Sequence, residues 1–341
     1  MTMIETPDVL TEAPSLPSEA DHRAELMIDV LAQVRISGAM FLQGDYTTPW
    51  AFDSPGSGDL IDLLAPRAER LIVFHRIRQG RAWVMANGHR VELEAGDLAI
   101  LPASHQHLMG SPEEVAPVPI ASLLPPAPWN GIPHLQHGGG GAETSVVCGY
   151  FSCDELLFNA FLRGLPPVIK VRPEGAAATL LDAALAYALA DGELCGGVTQ
   201  VRHVPELLLV EALRLYSEQA SPATGWLAAT GDPIVSRALK LMHAEPTRNW
   251  SVDELARAAH TSRSVLGERF RALLGQSPIR YLVEWRMQLA AGLLRSTELR
   301  LAAIAERAGY GSEAAFSRAF RRHLGQSPAE WRDSVRAKAA A

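Results

Sequence analysis

The chain is poor in cysteine, with three in 341 residues: Cys148, Cys153 and Cys195. Three cannot build the disulfide framework of a secreted scaffold, and an odd count fits a reducing compartment. Long apolar runs are also missing. No stretch reaches the roughly 18 uncharged apolar residues of a membrane span, and the richest one, near 176–190, is interrupted by Asp182. The N-terminal stretch MTMIETPDVLTEAPSLPSEAD is acidic and has no apolar core, so it does not read as a signal peptide. These absences together point to a cytoplasmic protein. No ATP site, nucleophile constellation or complete catalytic metal site is visible, so an enzyme is not the expected reading.

What is present is ordinary globular composition, 48% hydrophobic and 20% charged, in a chain long enough for two domains. The net charge of −7 would argue against nucleic acid if it were evenly spread. Residues 231–341 carry 18 Lys and Arg against 11 Asp and Glu, whereas residues 1–230 carry 13 against 27. A basic third joined to an acidic two-thirds is the pattern of a nucleic-acid reader attached to something else.

Residues 1–22, rich in Pro, Ser and acids, read as a mobile tail. From there to 154 the pattern is short apolar or alternating runs, at 71–77, 81–85, 90–93, 98–101 and 145–151. They are separated by Gln79-Gly80, Asn87-Gly88 and Gly96-Asp97, and Asn-Gly between alternating runs is a strong hairpin signal. Many short strands at this spacing predict an antiparallel sandwich or barrel. The Pro/Gly-rich stretch 111–142 reads as a long loop. After 154 the period becomes helical. Leu156, Leu157, Ala160 and Phe161 form one stripe, and amphipathic segments follow near 176–190 and 205–218. The segment 155–218 is too small for a core of its own, and its use is packing against the barrel or mediating dimerisation. Residues 219–231, small, polar and Pro/Gly-containing, read as the linker.

The basic third contains an internal repeat. Phe270-Arg-Ala-Leu-Leu-Gly275-Gln-Ser-Pro278 recurs as Phe320-Arg-Arg-His-Leu-Gly325-Gln-Ser-Pro328, 50 residues on. Each copy reads as helix, tight turn, helix. In the first, Ser251 and Glu254 make a capping box for a helix over 252–259, the chain turns at His260-Thr261, and Ser262 caps a helix to 274. Gly275 suits a left-handed helix end, Ser277 caps the next helix, and Pro278 fills its first position. The second copy has helices over 301–308 and 313–324, a turn at Gly309-Tyr310-Gly311 and Ser312 as cap. The spacing also predicts a connecting helix over 278–295, about 27 Å long. That could hold two recognition helices near successive major-groove faces, roughly 34 Å apart.

Gly275-Gln-Ser-Pro278, Trp285-Arg286, Ile304-Ala-Glu-Arg-Ala-Gly-Tyr310 and Phe316-Ser-Arg-Ala-Phe320-Arg321 resemble the C-terminal DNA-binding domain of the AraC/XylS family over 232–337. The resemblance implies two helix-turn-helix units, transcriptional regulation, and promoter DNA and RNA polymerase as partners. More weakly, Gly96-Asp-Leu-Ala-Ile-Leu-Pro102-Ala-Ser-His-Gln-His107 is similar to the second cupin motif, with Ser104 and Ser111 departing from it; the first motif's His-x-His pair is absent, with only His75 nearby. The expected fold is α+β: an antiparallel cupin-like barrel over 23–154 that senses a small-molecule effector, a helical dimerisation segment over 155–218, and an all-α domain with two helix-turn-helix motifs over 232–337.

Helical spacing divides the recognition helices. In the first, Val265, Leu266, Phe270, Leu273 and Leu274 are expected to pack, leaving Arg263, Ser264, Gly267, Glu268 and Arg271 outward. In the second, Phe316, Ala319, Phe320 and Leu324 pack, leaving Glu313, Ala314, Ser317, Arg318 and Arg321 outward. By similarity to the family, Ser264, Gly267, Glu268, Glu313, Ser317 and Arg318 face bases. Arg318 suits bidentate contact with guanine, while Arg271, Arg321 and Arg322 suit phosphates. His260 stands where the second copy has Gly309, and histidine tolerates positive φ better than most residues.

In the barrel, His75, His105, His107 and Cys148 are candidates for lining an effector pocket, and the histidines also read as half-buried groups with hydrogen-bonded partners. Of these, His75 and His107, with Cys148 on a neighbouring strand, could hold a divalent metal. Two alternatives follow from these residues. One is a metal-dependent cupin enzyme fused to a DNA-binding domain. The other is a redox-responsive regulator using Cys148 and Cys153, although their odd offset places them on opposite faces of a continuous strand.

Overall fold

The computed structural model describes residues 26, 36–56, 70–103, 105–126, 132–153, 165–194, 204–220 and 224–340. The expected tail at 1–22, the stripe at 156–161 and Cys195 lie outside these residues. The N-terminal half is built from eleven described strands: β1 (Ile36–Thr47), β2 (Ala51–Ser54), β3 (Arg70–Gln79), β4 (Arg81–Ala86), β5 (His89–Glu94), β6 (Leu98–Leu101), β7 (His107–Gly110), β8 (Val118–Pro119), β9 (His134–Gly138), β10 (Glu143–Cys153) and β11 (Ile169–Val171). They form a six-stranded sheet in the order β11-β6-β3-β10-β1-β9 and a five-stranded sheet in the order β5-β4-β7-β2-β8. The Asn-Gly signal is realised as a two-residue hairpin: Asn87 and Gly88 have φ of 47° and 76°, and Ala86 pairs with His89. Positive φ at both central residues matches the right-handed twist of the flanking strands.

Strand β3 shows why this half reads as apolar runs rather than clean alternation. Val73, His75 and Ile77 face the barrel interior, while Ile72, Phe74 and Arg76 face outward, and all six are buried. A sheet covered on both faces needs apolar residues on both. The interior is filled by rings: Tyr46 stacks on Trp50 at 4.3 Å and 18°, and Trp50 lies 5.9 Å from Phe52. The outer face is covered by helices α1 (Gly175–Leu194) and α2 (Val204–Gln219), whose Leu181, Leu185, Leu208 and Leu209 join Ile72, Phe74, Ile100 and Val147 in one core. The helical segment thus packs its apolar face on the barrel.

Two expectations need correction. Residues 111–142 are not one loop, because β8, a 3₁₀ turn (Ile120–Ser122) and β9 lie within them. Strand β9 pairs in parallel with β1, as β8 does with β2, so these edge pairs depart from an all-antiparallel barrel. Leu135 is the fully buried residue in an otherwise polar His-Leu-Gln-His run, and a single apolar anchor left little pattern to read. Nor is all of 219–231 a linker. It contains helix α3 (Trp226–Gly231), which buries Trp226, Leu227 and Ala229, and the indole Nε1 of Trp226 donates to the Tyr281 hydroxyl at 3.0 Å.

The C-terminal half continues with α4 (Pro233–Ala244), α5 (Val252–Ala258), α6 (Arg263–Leu274), α7 (Pro278–Ser296), α8 (Leu301–Arg307), α9 (Glu313–Leu324) and α10 (Pro328–Ala340). The capping signals are realised atom by atom. Ser251 and Glu254 form the reciprocal capping box, and Ser262, Ser277 and Ser312 accept from the amides of Val265, Arg280 and Ala315. Gly275 and Gly325 end their helices at φ of 67° and 77°. Helix α7 is the spine of this half. Its first turns, through Tyr281, Leu282 and Trp285, belong to the core around Phe270, and Met287, Ala290 and Leu294 belong to the core around Phe316 and Phe320.

Candidate nucleic-acid interface and barrel interior

Each repeat forms two helices joined by a turn with positive φ at the equivalent position, His260 at 55° and Gly309 at 76°. The second helices, α6 and α9, present their outer faces to solvent. On α6, Leu266 and Phe270 are fully buried while Arg263, Ser264, Glu268 and Arg271 are exposed. On α9, Phe316 and Phe320 are fully buried, Glu313, Arg318, Arg321 and Arg322 are exposed, and Ser317 is half-buried. Two positions differ from expectation. Val265, expected to pack, is 37% exposed between Ser264 and Glu268 on the outward face. Gly267, expected to lie outward, is buried, because the Arg271 guanidinium lies over it; a Cβ there would meet Arg271 Nη1 at 3.7 Å. Helical spacing assigns a direction to each position but not the long side chain that folds back over a glycine.

The two faces differ electrostatically. Arg263 pairs with Asp253 of α5 at 3.1 Å, and Arg269 pairs with Asp232, the N-cap of α4. Arg318, Arg321 and Arg322 make no side-chain ion pair among the described residues. Three unpaired guanidiniums on one helix are the stronger phosphate-attracting feature.

A junction not anticipated from the sequence ties the two units together. Arg286, 8% exposed on α7, donates from Nε to the Pro246 carbonyl at 2.6 Å and from Nη2 to the Arg248 carbonyl at 2.8 Å. Arg286 and Thr247 also close over Gly309, where an added Cβ would lie 2.9 Å from Thr247 Cα and 3.0 Å from Arg286 Cζ. The turn of the second unit is thereby seated on the loop that precedes the first. Behind α6, the His243 Nε2 and the Tyr281 hydroxyl are 2.8 Å apart, and the His243 ring stacks on Trp285 at 4.0 Å. Burial pushes the His243 imidazole down to about 3.

In the barrel interior, His75 Nδ1 lies 3.0 Å from Cys148 Sγ, and His75 Nε2 lies 3.0 Å from His107 Nε2. His107 Nδ1 lies 3.3 Å from the carbonyl oxygen of His105. One proton arrangement satisfies every group: the Cys148 thiol donates to His75 Nδ1, His75 Nε2–H to His107 Nε2, and His107 Nδ1–H to His105. Burial favours these neutral forms. It holds His75 well below the ordinary imidazole value, pushes His107 down to about 4, and raises the Cys148 thiol. His105 contributes its carbonyl, and its own half-buried ring forms no part of this chain.

This arrangement does not fit the divalent metal of the cupin reading. Only the two Nε2 atoms face each other, and Cys148 sits on the far edge of the His75 ring, where its sulfur cannot reach the same ion. Among the described residues no three His, Cys, Asp or Glu side chains converge as a metal site. The rings of Tyr46, Trp50 and Phe52 share a core cluster with Cys148, and the Phe52 ring centroid lies 6.4 Å from that of His75. The Cys148–Cys153 redox alternative also fails geometrically. Strand β10 runs unbroken through Cys153, so the two Cα atoms are about 16 Å apart at 3.3 Å per residue. A disulfide needs them within about 7 Å.

A covered β-barrel joined to a paired helix-turn-helix unit with an unpaired basic face defines a DNA-binding regulator. Comparison with known proteins agrees. A cupin family model matches residues 25–218, and a helix-turn-helix domain model matches 255–334. A Streptomyces lividans protein named as an AraC-like transcription regulator is 36% identical over 272 residues, covering 78% of this chain and 88% of that one. A Streptomyces antibioticus protein of the same name is 35% identical over 276 residues, with the same coverage. Among solved structures, the DNA-binding domain of AdpA in complex with a target DNA matches at 33% identity, covering 31% of this chain and 96% of that one, with a TM-score of 0.30. The chain belongs to the AraC family of transcription regulators, in its form with an N-terminal cupin domain. It is a DNA-binding transcriptional regulator.

Proposed function

We propose that the protein acts in the cytoplasm as a homodimer that reads promoter DNA through both helix-turn-helix units and responds to a small-molecule effector through its cupin half. No helix among the described residues is long and apolar enough to cross a membrane. In this reading the sensor comprises residues 23–154 with its helical segment to 218, and the DNA-reading unit begins at α3. The observation that carries the reading is the pair of outward faces held on one α7 spine. At 19 residues that helix is about 28 Å long, close to the roughly 34 Å between successive major-groove faces. Ser264, Glu268, Glu313, Ser317 and Arg318 face bases, with Val265 beside them, and Arg263, Arg271, Arg321 and Arg322 serve the phosphates.

Dimerisation is supported by α1, whose Leu180 and Tyr187 are 44% and 59% exposed on the side away from the barrel, with Ala183 between them. Contact of the DNA-bound dimer with RNA polymerase completes the regulatory role. The neutral, fully hydrogen-bonded His75–His107–Cys148 chain supports a structural role for those residues and a non-enzymatic cupin half. Arg318→Ala should weaken specific DNA binding by about 1–3 kcal/mol while relaxing preference at one base position. Fluorescence anisotropy on a selected operator and its single-base variants measures both. An unchanged base preference would remove Arg318 from the base-reading set.

A further inference from the structure

The outer face of β3, opposite the histidine chain, borders a cleft of about 280 Å³ between the six-stranded sheet and α1. This is near the lower end of the ~300–1,000 Å³ usual for ligand pockets, the size for a small metabolite. Its walls are of two kinds. Val147, Leu185 and Leu189 supply an apolar side, and Arg76 and Arg78 supply two guanidiniums.

Arg76 is only 5% exposed, and a buried guanidinium must be matched by acceptors. Its match is economical. Nε and Nη2 both converge on one oxygen of Asp182, at 3.1 and 2.9 Å, and Nη1 donates to the Gly96 carbonyl. Asp182 comes from α1 and its side chain is 58% exposed. Arg78, two residues along the same face, is exposed and makes no ion pair among the described residues. The cleft therefore holds two positive charges against one carboxylate, beside an apolar wall.

We infer that this cleft is a binding site for a small monocarboxylate with a compact apolar body, aliphatic or aromatic. The carboxylate would sit between Arg78 and Arg76, sharing or displacing Asp182, and the body would lie on Val147, Leu185 and Leu189. A cation is repelled by the two arginines. A sugar would find few donors and acceptors on the apolar wall, and a dianion would exceed the single uncompensated charge. Because Asp182, Leu185 and Leu189 all belong to α1, occupancy acts directly on how that helix is held. Leu185 and Leu189 also belong to the same continuous core as Trp226 and Leu227 of α3, the element that opens the DNA-reading half. This inference rests on the effector-responsive reading above, and it moves the effector from the barrel interior to its outer face.

The test is titration calorimetry on the full chain with sodium octanoate and sodium benzoate, each compared with its neutral amide. Saturable binding of the carboxylates is expected, with the amides at least about tenfold weaker, as loss of a charge-assisted contact implies. Arg78→Gln should weaken carboxylate binding by about tenfold, and Asp182→Asn, which removes the competing carboxylate, should tighten it. Equal binding of acids and amides, no binding by either acid, or indifference to Arg78→Gln would overturn the assignment. Specific DNA binding by the unaltered chain without ligand is measured in parallel. If it is intact while no carboxylate binds, the site fails and the regulator stands; if it is absent, the underlying functional reading fails.

Discussion

Replacing Gly309 with alanine should damage the DNA-binding half far more than replacing the equivalent His260 with glycine, although both occupy the same turn of a helix-turn-helix unit. Two costs combine at Gly309. Its φ of 76° lies in the left-handed region, where a Cβ costs about 1–2 kcal/mol. That Cβ would also lie 2.9 Å from Thr247 Cα, and crowding a packed site adds about 1–3 kcal/mol. Thr247 is backbone and Arg286 is pinned by two carbonyls, so neither can give way cheaply. The expected loss is about 2–5 kcal/mol. At His260 the side chain is already accommodated at φ 55°. Its replacement by glycine relieves backbone strain but adds unfolded-state entropy, so the net change should stay within about 1 kcal/mol. Because the full chain has more than one core, amide hydrogen exchange is a better readout than a single melting curve. The Tyr310 and Phe316 amides, bonded to the Ala305 and Ser312 carbonyls, should exchange roughly thirtyfold faster or more in Gly309→Ala. Equal effects at the two turns, or protection unchanged in Gly309→Ala, would refute the seating of the second turn on the loop before the first.

Two further outcomes follow from buried groups. The His107 and His243 imidazoles sit at about 4 and about 3 in the fold against 6.5 unfolded, so the unfolded chain takes up protons first as pH falls. Stability should be full above pH 6.5 and decline as pH drops through 4, by about 3 kcal/mol for His107 alone. Urea midpoints across that window measure the slope, which His107→Gln should reduce; an unchanged slope would contradict the neutral hydrogen-bonded chain. Arg286→Ala strands the Pro246 and Arg248 carbonyls and should cost about 2–4 kcal/mol, with no rescue by lysine, whose single ammonium cannot reproduce the fork. Rescue by lysine in a denaturation series would argue for charge alone.

The legible parts of the molecule were those whose causes are local. A serine three residues before an amide, a glycine at a helix end, or Asn-Gly between strands acts within one turn, so the capping and hairpin geometry could be read residue by residue. The 50-residue repeat was legible because its two copies report on each other. What escaped depends on contacts distant in sequence. Strand β9 is held by β1, roughly 90 residues away, as the bond between His134 and Asp45 illustrates, and its own composition carries little signal. Helix α3 looked like linker because Gly-Trp-Leu-Ala-Ala-Thr-Gly is short, and its burial depends on Tyr281. In the cupin half, the residue types of His75 and His107 suit a metal, a pocket lining or a buried hydrogen-bonded pair alike. Which ring edge each presents is decided by cross-strand register, such as Cys148 opposite His75. The Arg76–Asp182 pair joins residues 106 apart and had no motif to announce it.

The most direct test of DNA reading by two units is selection of binding sites from a randomised DNA library by the full chain, repeated with Arg318→Ala. The expected product is a site of two boxes about one helical turn, roughly 10 base pairs, apart, with the variant losing preference in one box only. A single enriched box, no enrichment above non-specific binding, or loss of preference in both boxes with Arg318→Ala would contradict it.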